Sequence, residues 1–396
     1  MKKGCLFLLL LVIGFLFAQP IEFPQPQFIN PIFDSFTRNY VSTSAMGRGY
    51  TGITIPGGVD NALLNPAAYL PDKAALHLEL LAKPSIRVDF YAAQDTSTGY
   101  NMTANDRLTS PVPFGIFAVG SSLGDHFSYG FLYSMPKTVR MDDFSIATNM
   151  GLSLILRYPT FNLHQITANA AFHHNQFHLG VNLHNQFYYL GDVTFLRTFD
   201  RVRDTKYILR PQFGFLYTGN NLNAGFTLTP PQNVIWDLSY VEYDTKLPLN
   251  LSGGLAYKNN GTQLAAEIEY EQCSAIYDEF KDRYTFHLGA EKRINKFTYR
   301  LGYIYHPEVW HGDYLLPDAE ADTVSIWWDK ILPGGTVNQN TQHILTGGFS
   351  WHHKDVNVNL AGLVNVANTA PISQISLSID LYFSAFKRKD FLYFGK

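Results

Sequence analysis

A ten-residue segment of this 396-residue chain shows its fold class most clearly: Gln374-Ile375-Ser376-Leu377-Ser378-Ile379-Asp380-Leu381-Tyr382-Phe383. Its odd-numbered residues are all apolar, whereas polar side chains dominate its even-numbered residues. Successive side chains of a β-strand point to opposite faces, so this alternation predicts a strand with one apolar and one polar face. Helical spacing does not produce such a pattern, because it repeats every 3.6 residues.

The same alternation recurs from about residue 75 to the end of this stretch. About fourteen such segments are separated by turn-forming residues, near 75–91, 112–121, 127–136, 162–173, 176–190, 205–218, 222–229, 248–258, 262–272, 284–293, 297–306, 342–352, 355–365 and 373–383. The chain is therefore predicted to be all-β.

The connections between these segments alternate between short and long. The short ones are 124–126, 174–175, 219–221, 259–261, 294–296 and 353–354, and the longer ones are 92–111, 137–161, 191–204, 230–247, 273–283, 307–341 and 366–372. Transmembrane β-barrels sort their loops in this way, with short periplasmic turns and longer external loops. A soluble sandwich has no reason to do so. We therefore predict a transmembrane antiparallel β-barrel of about 14 strands.

The composition agrees with a membrane barrel. Charged residues make up only 16% of the chain and aromatic residues 15%, whereas soluble domains carry about 25% charged residues. Aromatic residues gather near the predicted strand ends, as in the interfacial girdles of barrels: Tyr188, Tyr189, Tyr257, Trp351 and Phe383. The net charge of −3 offers no basic surface, so nucleic acid is excluded as a partner.

The first 18 residues are typical of a cleaved signal peptide. Lys2 and Lys3 precede an apolar run over 5–17, and the small residue Ala18 ends the segment. This run is shorter than the ~20 residues that a membrane helix needs. We expect export to the outer membrane of a diderm bacterium. Cys273 would then be the only cysteine left, which excludes an internal disulfide.

Residues 19–74 do not alternate and are rich in proline and glycine, which disfavours wall strands. They form either a tail or a hatch folded into the lumen. Asp60 is predicted to cap a short helix over 62–64. At the other end, the basic segment 385–396 is predicted to be a periplasmic tail.

Two runs in this N-terminal segment, 45–52 (AMGRGYTG) and 60–70 (DNALLNPAAYL), resemble the N-terminal signature of FadL-like outer-membrane barrels. Ala68 stands where that family's Asn-Pro-Ala-Gly motif has glycine. The resemblance implies a 14-stranded barrel over 75–384 with a luminal hatch over 19–74. The hatch motif comprises Gly47, Gly49, Gly52, Asp60, Asn61, Asn65, Pro66 and Ala67.

The resemblance also implies a function, the passive transport of small hydrophobic molecules, fatty-acid-like or hydrocarbon, across the outer membrane. Outer-membrane lipid and the hydrophobic molecules themselves are then the expected partners. The same superfamily contains the PorV and PorQ proteins associated with type IX secretion. The alternative is therefore an interaction component that binds protein-secretion partners and transports no small molecule.

A candidate polar site comes from strand periodicity. Glu267, Glu269 and Glu271 are two residues apart, so one strand points all three into the lumen. Hairpins centred on the intervening loops predict Glu269 beside His287, Glu267 beside Gly289, Arg300 opposite Gly289 and Thr298 opposite Glu291. We call Glu267, Glu269, Glu271, His287, Glu291 and Arg300 the polar ladder. It either holds the barrel and hatch together or steers a substrate head group or a proton.

Other candidates are weaker. Aromatic residues of the loop 307–341 form either a capture surface for apolar molecules or ordinary loop packing: Trp310, Tyr314, Trp327 and Trp328. Histidine pairs near 173–174, 178/184 and 352–353 invite a metal interpretation, but adjacent histidines of a strand point to opposite faces, and we expect no metal and no cofactor. Neither His-Glu-x-x-His nor a phosphate loop occurs, and we expect no enzyme.

Overall fold

The computed structural model describes residues 38–71, 73–83, 86–91, 103–109, 114–141, 144–147, 153–156, 160–194, 201–237, 242–275, 281–307, 341–366 and 373–383. The predicted signal peptide and C-terminal tail lie outside these residues, and so do Trp310, Tyr314, Trp327 and Trp328. No helix in the described ranges is long and apolar enough to cross a membrane.

The described residues form twenty strands. They are β1 (Ala75–Ala82), β2 (Ile86–Tyr91), β3 (Thr103–Thr109), β4 (Phe114–Leu123), β5 (Phe127–Met141), β6 (Phe144–Ala147), β7 (Ser153–Leu156), β8 (Thr160–His174), β9 (Phe177–Thr194), β10 (Arg201–Thr218), β11 (Leu222–Thr229), β12 (Gln232–Asp237), β13 (Glu242–Leu247), β14 (Asn250–Asn259), β15 (Thr262–Glu271), β16 (Arg283–Ile294), β17 (Phe297–His306), β18 (Gln342–His353), β19 (Val356–Asn365) and β20 (Ser373–Tyr382).

Fourteen of these strands close into one antiparallel barrel, which confirms the predicted fold class. The order around the wall is β5-β4-β1-β20-β19-β18-β17-β16-β15-β14-β11-β10-β9-β8, and pairing of β8 with β5 closes the ring. A closed ring leaves no unpaired wall edge, as a membrane-spanning sheet requires.

The alternation predicted from sequence gives the wall its two faces. In β20, Gln374, Ser376 and Ser378 are buried against the interior, while Leu377 points outward and is 41% exposed. Exposed leucines and aromatic residues cover the outer surface on every side, for example Leu80, Phe131, Leu179, Phe226, Leu264, Leu301 and Leu345. So large an apolar surface would be unusual on a soluble monomer and is what a lipid-facing barrel presents.

Tight turns fix the register at the short-turn end. Asn175, Asn260, Asn295 and Lys354 each follow a wall strand and adopt positive φ, between 46° and 54°. This left-handed conformation matches the twist of a two-residue hairpin, and asparagine tolerates it better than most residues.

The predicted strand over 75–91 is wrong in one respect, because the chain leaves the wall after β1 and begins β2 at Ile86. The long connections also contain three hairpins, β2–β3, β6–β7 and β12–β13. Among these strands, β3 pairs with the end of β5, so that hairpin extends the sheet beyond the barrel wall. Alternation alone does not distinguish a wall strand from a strand of a loop hairpin.

Residues 38–71 lie inside the barrel, which decides between a tail and a hatch for this part of the chain. They form a short helix α1 (Thr43–Gly47) and the 3₁₀ helices η1 (Val59–Leu63) and η2 (Pro66–Ala68). Val59, Ala62 and Tyr69 pack in one buried apolar cluster with inward residues of β4 and β5. From here on, "hatch" means residues 38–71.

Candidate functional site

Glycines allow the hatch to lie directly on the wall. Gly49 adopts φ 72°, and a Cβ added at Gly302 of β17 would overlap the Gly49 backbone. A Cβ at Gly47 would come within 2.9 Å of Gly348 Cα of β18. Such close approach between backbones needs residues without side chains. The hatch-motif glycines therefore have matching glycines in the wall.

The Asn-Pro-Ala run packs on a second set of wall glycines. Added Cβ atoms at Gly180 of β9 and Gly214 of β10 would overlap Asn65 and Pro66. Sequence analysis missed these positions, as it missed Gly302 and Gly348. The available signal was a glycine at a luminal position of an alternating strand.

Asparagines satisfy the backbone of the hatch. Asn65 Oδ1 accepts a hydrogen bond from Ala67 N at 2.9 Å, and Asn65 Nδ2 donates to Ile53 O at 2.7 Å. From the wall, Asn169 Nδ2 donates to Pro66 O at 3.1 Å and Asn182 Nδ2 donates to Ala62 O at 2.7 Å. Buried backbone groups need such partners, so these amides hold an irregular segment inside the lumen.

The helix-capping prediction for Asp60 is wrong. Helix η1 begins at Val59, and Gly58 precedes it without a capping side chain. Asp60 instead accepts a hydrogen bond from Ser42 Oγ at 2.6 Å. Because the helix begins one residue before Asp60, this carboxylate is free to bind another part of the hatch.

The predicted pairings of the polar ladder are off by two residues. Glu267 lies opposite His287 and Glu269 opposite Thr285, while Arg300 lies opposite Glu291. The loop after β15 contains a short 3₁₀ helix over Cys273–Ala275, and the next turn has only two residues, so neither hairpin is centred where symmetry placed it. A shift by two residues keeps every ladder side chain on the luminal face.

Glu267 binds the hatch directly. Its carboxylate accepts hydrogen bonds from Gly52 N at 3.0 Å, Thr54 N at 2.9 Å and Thr54 Oγ1 at 2.7 Å. Backbone N–H groups that converge on a carboxylate form an anion-binding nest. Glu267 therefore anchors the hatch and has little capacity left for a substrate.

Glu291 and Arg300 form a second anchor. Arg300 Nε donates to Glu291 Oε2 at 2.6 Å, and Arg300 also binds Ser350 of β18. Arg48 of the hatch lies 3.6 Å from the same carboxylate. This part of the ladder therefore links the wall to the hatch.

Glu269 and Glu271 lie nearer the long-loop end, whereas His287 lies opposite Glu267. Glu269 Oε2 is 3.2 Å from Arg38 Nη2 and 3.5 Å from His287 Nε2, and His287 Nδ1 is 2.9 Å from Gly49 O. Glu271 pairs with Arg283 at 3.4 Å. Glu269 and Glu271 border an open space, whereas Glu267, His287 and Glu291 do not.

This open space is a cavity of about 230 Å³ on the long-loop side of the hatch. Arg38, Asn39 and Tyr50 form its hatch face. Its polar wall residues are Lys137, Gln165, Gln186, Tyr188, Arg210, Asn250, Glu269, Glu271, Cys273 and Arg283, with Pro136, Leu163, Leu247 and Pro248 as apolar neighbours. Tyr188, predicted to be an interfacial aromatic residue, is thus buried on the luminal side. We call this space the outer cavity.

Arg210 differs from the other arginines of the outer cavity. Arg38 and Arg283 each have a glutamate partner, whereas no described carboxylate lies within 4.0 Å of the Arg210 guanidinium. Arg210 Nη2 donates to Pro248 O at 2.6 Å, and Arg210 Nε donates to Pro230 O at 3.3 Å. Pro230 directly follows β11, and Pro248 directly follows β13. A cation held only by neutral carbonyl groups still favours an anion in the cavity. Sequence analysis missed Arg210, although its even number places it on the luminal face of β10.

Solved structures with a similar fold include a FadL homologue and two toluene transporters. A Pseudomonas aeruginosa FadL homologue covers 90% of this chain and 100% of its own at a TM-score of 0.58 and 14% identity. The match to the Ralstonia pickettii toluene transporter TbuX covers 86% of this chain and 98% of TbuX, with a TM-score of 0.59 and 14% identity. The match to the Pseudomonas putida toluene transporter TodX covers 91% of this chain and 99% of TodX, with a TM-score of 0.56 and 13% identity. This chain has the FadL-type barrel fold.

Neither a family model nor a curated protein matches the sequence. The fold is therefore shared with these channels at low sequence identity, and function has to be argued from the site. The structural neighbours give no support to the alternative of a secretion partner.

Proposed function

We propose that the protein is an outer-membrane channel for small hydrophobic molecules that carry an anionic head group, such as a fatty or aromatic acid. The outer cavity with Arg210 is the observation that carries this proposal. Its relatives in fold, described as hydrocarbon transporters and channels, support the hydrophobic part. The charges of the cavity support the head group.

A carboxylate fits this cavity better than an uncharged hydrocarbon does. Arg210 would donate to the carboxylate, while Tyr188, Leu163 and Leu247 offer surface to an apolar tail. A plain hydrocarbon would displace water from charged groups without replacing its hydrogen bonds, which costs free energy. The glutamates of the cavity are already paired with Arg38 and Arg283, so their repulsion toward an anion is reduced.

For a molecule to pass through the barrel, the hatch has to move away from the wall. The first described residues of the hatch bind a bulge in β5, where the pairing with β8 shifts between Ser134 and Lys137. Asn39 donates to Met135 O at 2.5 Å from its side chain and to Pro136 O at 2.8 Å from its backbone. Release of Asn39 would free both the hatch end and the bulged wall beside the outer cavity.

Transport by proteoliposomes tests the proposal. We expect uptake of a labelled fatty acid by the wild-type chain and a roughly tenfold loss in Arg210→Gln, equal to about 1.4 kcal/mol of binding, near the lower value for a hydrogen bond to a charged group. Arg293→Gln, an exposed arginine next to a short turn, is the matched control and should transport normally.

Three outcomes would contradict the proposal. The wild-type chain could take up toluene faster than the acid, at a rate that Arg210→Gln does not change. That result would show that the charges of the cavity do not bind the substrate. Equal losses in both arginine variants would point to a general charge effect. Co-purification with secretion components, together with no uptake of either compound, would favour the alternative function.

A further inference from the structure

A cluster of ionisable side chains lies on the other side of the hatch from the outer cavity, near the short-turn end. His77 of β1 and Asp380 of β20 lie directly opposite each other in the wall, and Asp60 of η1 faces them from the hatch. One ligand atom from each of these three residues lies within 4.8 Å of the other two. Neither the ladder nor the outer cavity includes any of them.

The charges of this cluster do not balance. His77 Nδ1 is 2.6 Å from Asp380 Oδ1, and His77 Nε2 is 3.6 Å from Glu79 Oε2. In the described part of the chain, no other cation lies within 4.0 Å of these carboxylates or of Asp60, and the nearby Arg48 contacts Glu291 instead. One imidazole therefore serves three carboxylates. Buried carboxylates normally need a matching positive charge.

Two buried atoms of the cluster also lack hydrogen-bond partners. They are His77 Nε2 and Glu79 Oε1, and both side chains are only 1% exposed. Buried polar atoms are almost always satisfied by the protein, by water or by an ion. Once an imidazole nitrogen has lost its proton, it combines with neighbouring carboxylate oxygens into a donor set that binds divalent metal ions.

We propose that Asp60, His77 and Asp380 bind a first-row divalent cation, with Glu79 beside it. One imidazole nitrogen and several carboxylate oxygens suit Zn²⁺ or Mn²⁺. Ser42 holds Asp60 at 2.6 Å, and Asn359 Nδ2 donates to Asp380 Oδ2 at 3.2 Å, so the ligands have orienting partners. Because Asp60 belongs to the hatch and the other two belong to the wall, the ion would clamp the hatch to β1 and β20.

Metal titration of the detergent-purified, chelator-treated full chain tests this site. We expect calorimetry to show one Zn²⁺ or Mn²⁺ bound per chain. Metal affinity should fall about 100-fold or more in His77→Gln and in Asp60→Asn, because loss of a direct ligand should weaken binding at least as much as loss of a residue that only orients a ligand. His178→Gln is the matched control, because His178 is buried and contacts His173 and Thr218 instead. It should bind the metal like the wild type.

A second measurement uses only the wild-type chain, so it does not depend on whether the variants fold. X-ray absorption of the Zn²⁺-loaded wild-type chain should show a single imidazole among oxygen ligands, and the bound ion should protect the hatch from protease. The proposal is overturned if no stoichiometric binding occurs or if His77→Gln binds normally. It is also overturned if the spectrum shows two imidazoles, since the His173–His178 pair would then hold the ion.

Discussion

Two regions of the lumen, the surroundings of Glu267 and the outer cavity, differ in how completely their polar groups are satisfied. Around Glu267, the hatch supplies three hydrogen-bond donors to one wall carboxylate, and glycines bring the two backbones into contact. In the outer cavity, Arg210 meets only carbonyl oxygens, and open space remains beside it. The region around Glu267, with its hydrogen bonds satisfied, holds the structure together, whereas the outer cavity has hydrogen-bonding capacity left for a ligand. Luminal charge by itself therefore does not identify a binding site, and spare hydrogen-bonding capacity does.

The largest effect should come from the close backbone contact between hatch and wall. Gly302→Ala places a Cβ on the Gly49 backbone, and we expect a loss of about 3 kcal/mol or more in the free energy of unfolding, because neither backbone can move aside. Urea unfolding in detergent micelles measures it. Gly253→Ala is the control, since its Cβ would meet only ordinary contacts at 3.5 Å and beyond. Equal stability of both variants would show that the hatch does not lie on the wall as described.

A smaller effect is expected from the carboxylate that the hatch surrounds. Glu267→Gln keeps the shape but removes the charge that three donors share, and we expect about 2 kcal/mol less stability, within the range for hydrogen bonds to charged groups. The hatch should also become more sensitive to protease while barrel unfolding keeps its cooperativity. Glu271→Gln, in the outer cavity, should leave hatch proteolysis unchanged. Greater protease sensitivity in Glu271→Gln than in Glu267→Gln would reverse the comparison between the Glu267 region and the outer cavity.

The smallest effect concerns the cysteine beside the outer cavity. Burial raises the pKa of the Cys273 thiol to about 12, so the thiol stays protonated at pH 8. With Cys5 replaced by Ser, we expect maleimide to label the folded chain slowly and the urea-unfolded chain rapidly at this pH. Fast labelling of the folded chain at pH 8 would mean that the outer cavity is wider than the structure shows.

Much of the wall was predictable, because strand alternation is a local property of the sequence. The strand count and the inward direction of Glu267 and Arg300 follow from alternation with a period of two. The pairing of these residues was wrong by two positions. Turn length and the 3₁₀ helix after β15 set the register, and neither is visible in the alternation.

The hatch shows the reverse situation. The family resemblance pointed to Gly49, Asn65 and Pro66. These residues are needed because they lie against wall glycines that are far away in sequence, such as Gly302 and Gly214. Arg210 and the Asp60–His77–Asp380 cluster were missed for the same reason. Their significance depends on which charged and hydrogen-bonding groups lie within a few ångströms of them in the folded chain, and which do not.

Alternation and turn residues were enough to specify a two-faced sheet with short turns at one end, since hydrophobic period and turn chemistry act over a few residues. Which luminal charges are neutralised, and which keep spare hydrogen-bonding capacity, depends on the folded arrangement. Neutralisation depends on distances of a few ångströms between strands and the hatch, and closure of the barrel alone sets those distances.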